Sequence, residues 1–165
     1  MVSRRFLILG AAVISIALVA GVFLVQFLGG AFRPPVDITR VPDLSNSNPR
    51  ELMPNELAGQ SLVKVSDVSE PGDTSFKGEY HDFYLVIGRA TNAGVASGIV
   101  YDEYLYYENR GGSTTRTSDW FAYSGQGSVF MWRSGTWYFL VWATNETTRN
   151  QAAQALVEHL IDSVR

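Results

Sequence analysis

The sequence predicts an α+β fold: a single N-terminal transmembrane helix, then a small antiparallel β-sheet domain with an amphipathic C-terminal helix and a second helix packed on one sheet face. Three observations lead there. Residues 6–28, FLILGAAVISIALVAGVFLVQFL, hold only Ser15 and Gln26 as polar side chains. Residues 129–144, VFMWRSGTWYFLVWAT, alternate about a glycine turn as a β-hairpin does. Residues 148–165, TRNQAAQALVEHLIDSVR, repeat apolar side chains at helical spacing.

Residues 1–5 carry Arg4 and Arg5 and are expected in the cytoplasm, as the positive-inside rule requires. Residues 6–28 are long enough to cross a hydrocarbon core of about 30 Å as a helix. A cleaved export signal is the competing reading, but its apolar core is normally only about 7 to 15 residues. The start SRRFLIL also resembles a twin-arginine export motif, a weak signal because two arginines before any span look the same. Gly10, Ala17 and Gly21 fall on one face of this helix, where small residues let another helix approach closely.

Residues 29–56 contain five prolines and few regularly spaced apolar residues, which predicts an extended tether. The α+β domain is then expected over residues 57–165. SLVKVSDV (61–68) alternates as a strand, EPGD (70–73) is turn chemistry, and YHDFYLVIGRA (80–90) is a longer strand apolar on both faces. For residues 92–109, Asn92 can cap a helix in which Val95, Ile99, Val100, Tyr104 and Tyr107 have helical spacing. Gly98 and four tyrosines speak for a strand, and the balance favours helix. TSDWFAYSG (117–125) precedes the hairpin as a further strand. In the last helix Ala153, Leu156, Val157, Leu160, Ile161 and Val164 form the apolar stripe, with Arg149, Gln154, Glu158 and Asp162 off it and Asn145 or Thr147 as cap.

Closing the hairpin at Ser134-Gly135 sets Trp132 against Trp137, Phe130 against Phe139 and Met131 against Tyr138. One face then carries Phe130, Trp132, Trp137, Phe139 and Val141 and is expected to seat the helices. The other carries Val129, Met131, Tyr138, Leu140 and Trp142, and a small antiparallel sheet would normally be polar there. Exposed apolar patches of this kind mark binding sites, so Met131, Tyr138, Leu140 and Trp142 are the expected partner-binding residues.

The composition excludes several classes. With no cysteine there is no disulfide, lipid-modified cysteine, thiolate zinc site, iron–sulfur cluster or CxxCH haem attachment. The formal charge of −3 becomes −5 beyond Arg4 and Arg5, which gives no electrostatic reason to bind nucleic acid. Ser61 and Lys64 match S-x-x-K, but on a strand they point to opposite faces. Glu79, His81 and Asp82 lack further ligands for a metal, since the other histidine, His159, is expected at the surface of the distant C-terminal helix beside Glu158. Asp102-Glu103 reads as a polar helix edge, and Gly125-Gln126-Gly127 as a loop without the helix a nucleotide turn needs. Asn145-Glu146-Thr147 is explained as a cap.

No catalytic residue, cofactor or metal is expected. The expected function is that of a non-catalytic, single-pass accessory subunit of a larger membrane complex, an electron-transport assembly being one option. Its partners would be other membrane-protein subunits and the bilayer, its N-terminus cytoplasmic and its domain periplasmic or at the cell surface. The alternative is a membrane-anchored extracytoplasmic sensor or small-ligand-binding domain. A concave pocket favours the alternative, and a flat aromatic face favours docking.

Overall fold

Apolar side chains on both faces of a strand require cover on both faces, and Phe83–Ala90 obeys that requirement. Phe83, Leu85 and Ile87 are buried on one side, and Tyr84 and Val86 are half-buried on the other. In the computed structural model, which describes residues 33–164, this strand lies inside a seven-stranded antiparallel sheet with one helix on each face. The expected α+β class holds, whereas the placement of both helices on one face does not.

In chain order the elements are β1 (Glu56–Leu57), β2 (Gln60–Ser61), β3 (Lys64–Asp67), β4 (Asp73–Glu79), β5 (Phe83–Ala90) and α1 (Ala93–Glu108). There follow β6 (Ser113–Arg116), β7 (Trp120–Gly125), β8 (Gly127–Ser134), β9 (Trp137–Ala143) and α2 (Glu146–Asp162). Strands β1 and β2 form a separate small ladder, and the large sheet has the order β3-β4-β5-β9-β8-β7-β6. Residues 92–109 are the helix the spacing favoured: the Asn92 side chain accepts from Val95 N at 3.0 Å, and Asn109 closes the other end. Asn145 caps α2 in the same way, accepting from Thr148 N at 2.9 Å.

Each helix covers one face of the sheet. Strands β5 and β9 are antiparallel neighbours, with Phe83 opposite Ala143 and Arg89 opposite Trp137. Helix α1 follows β5 and α2 follows β9, so they leave the sheet at opposite ends. Helix α2 sets Ala152, Ala153, Leu156, Val157 and Leu160 against Phe83, Leu85, Ile87, Phe130, Trp132 and Phe139. Helix α1 sets Val100, Tyr104 and Tyr107 against Phe121, Tyr123, Val129, Met131, Tyr138 and Leu140.

The hairpin is offset from the expected register by two residues. Ser134 pairs with Trp137, Trp132 with Phe139 and Met131 with Leu140. Its two-residue loop is Gly135-Thr136, with Gly135 at φ +62, the conformation a hairpin turn asks of glycine at its first position. A slip of two preserves alternation, so every side chain keeps its expected face.

Two further expectations are corrected. Residues 34–56 are not a free tether: Val36, Leu44, Leu52 and Met53 are buried in the same core as α2. Arg149, expected off the apolar stripe, is buried with 3% of its surface exposed. Its Nη1 donates to Ser128 Oγ at 2.8 Å and to the carbonyls of Tyr123 and Val129 at 3.2 Å, and its Nε donates to Asn150 Oδ1 at 2.9 Å. A buried guanidinium is tolerated only when so satisfied, and here it ties α2 to the β7–β8 hairpin.

Candidate functional site: a groove beside α1

Helix α1 lies close on β7 and β8 but leaves a groove towards β4 and β5. The cavity measures about 580 Å³. Its floor is Tyr84, Val86, Met131, Tyr138 and Leu140 from β5, β8 and β9. Helix α1 supplies one wall through Val95, Ile99, Asp102, Glu103 and Tyr106, with Tyr107 at its base. The β3–β4 turn and β4 supply the other through Val68, Glu70, Pro71, Asp73, Ser75 and Lys77.

The floor is fixed by side-chain stacking and hydrogen bonds. Tyr84 stacks on Trp142 with ring centroids 5.4 Å apart and planes 8° apart. Tyr84 and Tyr107 lie close enough to affect each other's protonation. The Tyr138 hydroxyl donates to the Asp73 carboxylate, which also accepts from Glu70 N at 2.6 Å. Burial raises the pKa of Tyr84, Tyr107 and Tyr138, so all three stay protonated and offer neutral hydroxyls and aromatic faces.

The walls are acidic. Glu70, Asp73, Asp102 and Glu103 line the groove against a single basic residue, Lys77. Lys77 is already paired, its Nζ 3.0 Å from Glu79 Oε1 and 4.3 Å from the centre of the Tyr84 ring. Among the described residues no basic side chain forms an ion pair with Glu70, Asp102 or Glu103. Burial raises the Glu103 carboxyl above the ordinary glutamate range, and the carboxylates of Glu70 and Asp102 push it the same way.

The four residues expected to face a partner do share one sheet face, but α1 covers it. Met131, Tyr138 and Leu140 are 1%, 4% and 5% exposed, and half-buried Trp142 lies against Tyr84 and the backbone of Gly127. They present no docking surface because the chain's own helix occupies it, although Met131, Tyr138 and Leu140 reappear as the groove floor. Gly10, Ala17 and Gly21, and with them the whole 6–28 segment, lie outside the described residues. Among the described residues no helix is long and apolar enough to cross a membrane.

The discounted motifs fall elsewhere. Ser61 and Lys64 sit on different strands, β2 and β3. Glu79 pairs with Lys77, while His81 Nδ1 lies 2.8 Å from Asp82 Oδ1 at the surface. His159, expected at the surface, is half-buried, with Nε2 shielded and without a hydrogen-bond partner among the described residues. Among those residues no group of histidine and carboxylate side chains converges closely enough to hold a metal ion. The Asp102-Glu103 pair, read as a polar edge, is part of the groove wall. A smaller cavity of about 140 Å³ on the other side of α1 is lined by Tyr101, Tyr104, Arg116 and Trp120, with the Arg116 guanidinium 4.4 Å from the Tyr104 ring centre. Comparison with protein families, with curated proteins and with solved structures finds no match for this chain.

Proposed function

We infer that this protein is a small-ligand-binding domain, held at the outer face of a membrane by residues 6–28, and that the groove beside α1 is its binding site. The cavity of about 580 Å³ carries this reading. Ligand sites typically enclose about 300 to 1,000 Å³ with an apolar lining and a few polar groups that converge. Here an aromatic and aliphatic floor meets carboxylates and tyrosine hydroxyls on the walls. Binding is favoured over catalysis because burial raises the pKa of the groove's tyrosine hydroxyls and leaves them weak nucleophiles. The accessory-subunit reading loses its docking face to α1 and retains only the Gly10, Ala17 and Gly21 seam.

The test is ligand-observed NMR on the full-length chain in mild detergent, with a panel of neutral apolar, saccharide and cationic small molecules. At least one class should bind, and Ile99→Trp, which fills the groove from the α1 side, should abolish that binding without lowering the melting temperature. Binding that survives Ile99→Trp would place the site elsewhere.

A further inference from the structure

We propose that residues 34–53 form a latch, a strap that unfastens from the domain as a unit while the sheet and both helices stay folded. The inference is independent of the groove, which lies on the other face of the sheet. The observation that carries it is where the strap's hydrogen bonds go. Among the described residues, every backbone bond donated within 34–53, from Ile38 N to Val36 O through Met53 N to Arg50 O, is accepted two to four positions away inside the strap itself. The side chains of Asp37, Asp43 and Asn48 likewise serve only Thr39, Ser45 and Arg50. Among the described residues none of these bonds, and no ion pair, crosses from the strap to the sheet or to α2.

Side-chain packing is therefore what holds the strap: Val36, Leu44, Leu52 and Met53 are buried, and the Arg50 guanidinium lies 5.9 Å from the Phe76 ring centre. Met53 fills the space above Gly78, where a Cβ would meet its sulfur. The boundary is sharp. Immediately after it Pro54 O accepts from the buried Tyr80 hydroxyl at 2.5 Å and Asn55 O accepts from Leu62 N at 2.8 Å, so the chain is pinned from residue 54 onward. A segment whose bonds are all local need not break them to leave the domain; it gives up the burial of a few separated side chains and regains backbone freedom. Opening β5, by contrast, would break its ladders to both β4 and β9. Released, the strap can extend to about 70 Å at about 3.5 Å per residue, so the latch stores a reserve of chain ahead of residue 54.

The test is oxidation of the full-length chain in mild detergent by dilute hydrogen peroxide, which transfers one oxygen atom to a methionine sulfur and leaves water. Peptide mass spectrometry follows Met53 in the strap and Met131 beneath α1. Met53 should react at least about tenfold faster than Met131. Leu44→Ala removes an anchor nine positions before Met53 in the chain. It should speed Met53 oxidation at least about tenfold more, leaving Met131 and the hydrogen exchange of β5 unchanged. Leu44→Val, a smaller loss, gives the same pattern at reduced size should the alanine variant not fold. Equal rates at Met53 and Met131, or a rise in both by the same factor in the Leu44 variants, would show that the strap opens only when the whole domain unfolds. A Met53 rate that neither variant changes would show that peroxide reaches the sulfur where it sits. Each of these results overturns the latch.

Discussion

Tyr138 lies across Gly88, its cross-strand partner, and its hydroxyl thereby reaches Asp73 on the next strand but one in the sheet order. A side chain at position 88 would collide with the Tyr138 ring. The missing Cβ on β5 therefore shapes the groove floor and fastens it to its acidic wall. Gly88→Ala should cost about 1 to 3 kcal/mol, as overpacking usually does, and should also displace the Tyr138 ring. Tyr138→Phe keeps the ring and should cost only about 1 kcal/mol, the net worth of one hydrogen bond. Urea unfolding of the two variants distinguishes these outcomes.

Both sheet faces are core, and mutation should reveal that symmetry. Phe139→Ala under α2 and Leu140→Ala under α1 should each destabilise by about 2 to 5 kcal/mol. A partner-facing residue at 140 would instead leave the melting temperature near wild type. Thermal melts of the two variants decide between them.

Arg149 is held by three acceptors on the β7–β8 hairpin and by Asn150. Arg149→Met removes the donor to Ser128 and to the carbonyls of Tyr123 and Val129, although the Ser128 hydroxyl still donates to the Tyr123 carbonyl at 3.2 Å. Loss of these charge-assisted bonds should cost about 1 to 3 kcal/mol. Hydrogen exchange should locate the loosening at the β7–β8 hairpin, and uniform loosening across the sheet would contradict the role assigned to Arg149.

Glu103 has a folded-state pKa raised by burial and by the facing Glu70 and Asp102 carboxylates. Its protonated form is thus favoured in the fold, and its contribution to stability is fully present below the ordinary value of 4.5 and lost as pH rises through the raised value. Glu103→Gln should match wild type in acid and exceed it in stability above that window. Denaturation measured across pH 3 to 8 checks the sign, and an advantage that shrinks with rising pH would refute it.

Much of the fold was legible because alternation survives local error. The hairpin slipped by two residues, yet Met131, Tyr138 and Leu140 stayed on one face and Phe130, Trp132 and Phe139 on the other. Strands β4 and β6 were missed because DTSFKGE holds one large apolar side chain and STTR none, the polar composition of outer strands. The 34–56 segment hid its role because Val36, Leu44, Leu52 and Met53 follow no helical or strand period and are buried one at a time. The groove was illegible for a different reason: it joins Glu70, Tyr84, Glu103 and Tyr138, which only the strand order β4-β5-β9 and the crossing of α1 bring together. Two helices were expected on the face of Phe130, Trp132 and Phe139 because the apolar second face was assigned to a partner, but the chain's own helices cover both faces.

The central claim is that the groove beside α1 is where a ligand sits. Methyl-resolved NMR of the full-length chain in mild detergent, titrated with the panel of neutral apolar, saccharide and cationic small molecules, tests it directly. The account predicts that a binding probe shifts the methyls of Val86, Ile99, Met131 and Leu140 and leaves those of Leu156, Val157 and Leu160 under α2 in place. Shifts centred under α2, or no shift of the groove methyls with any probe, would contradict it.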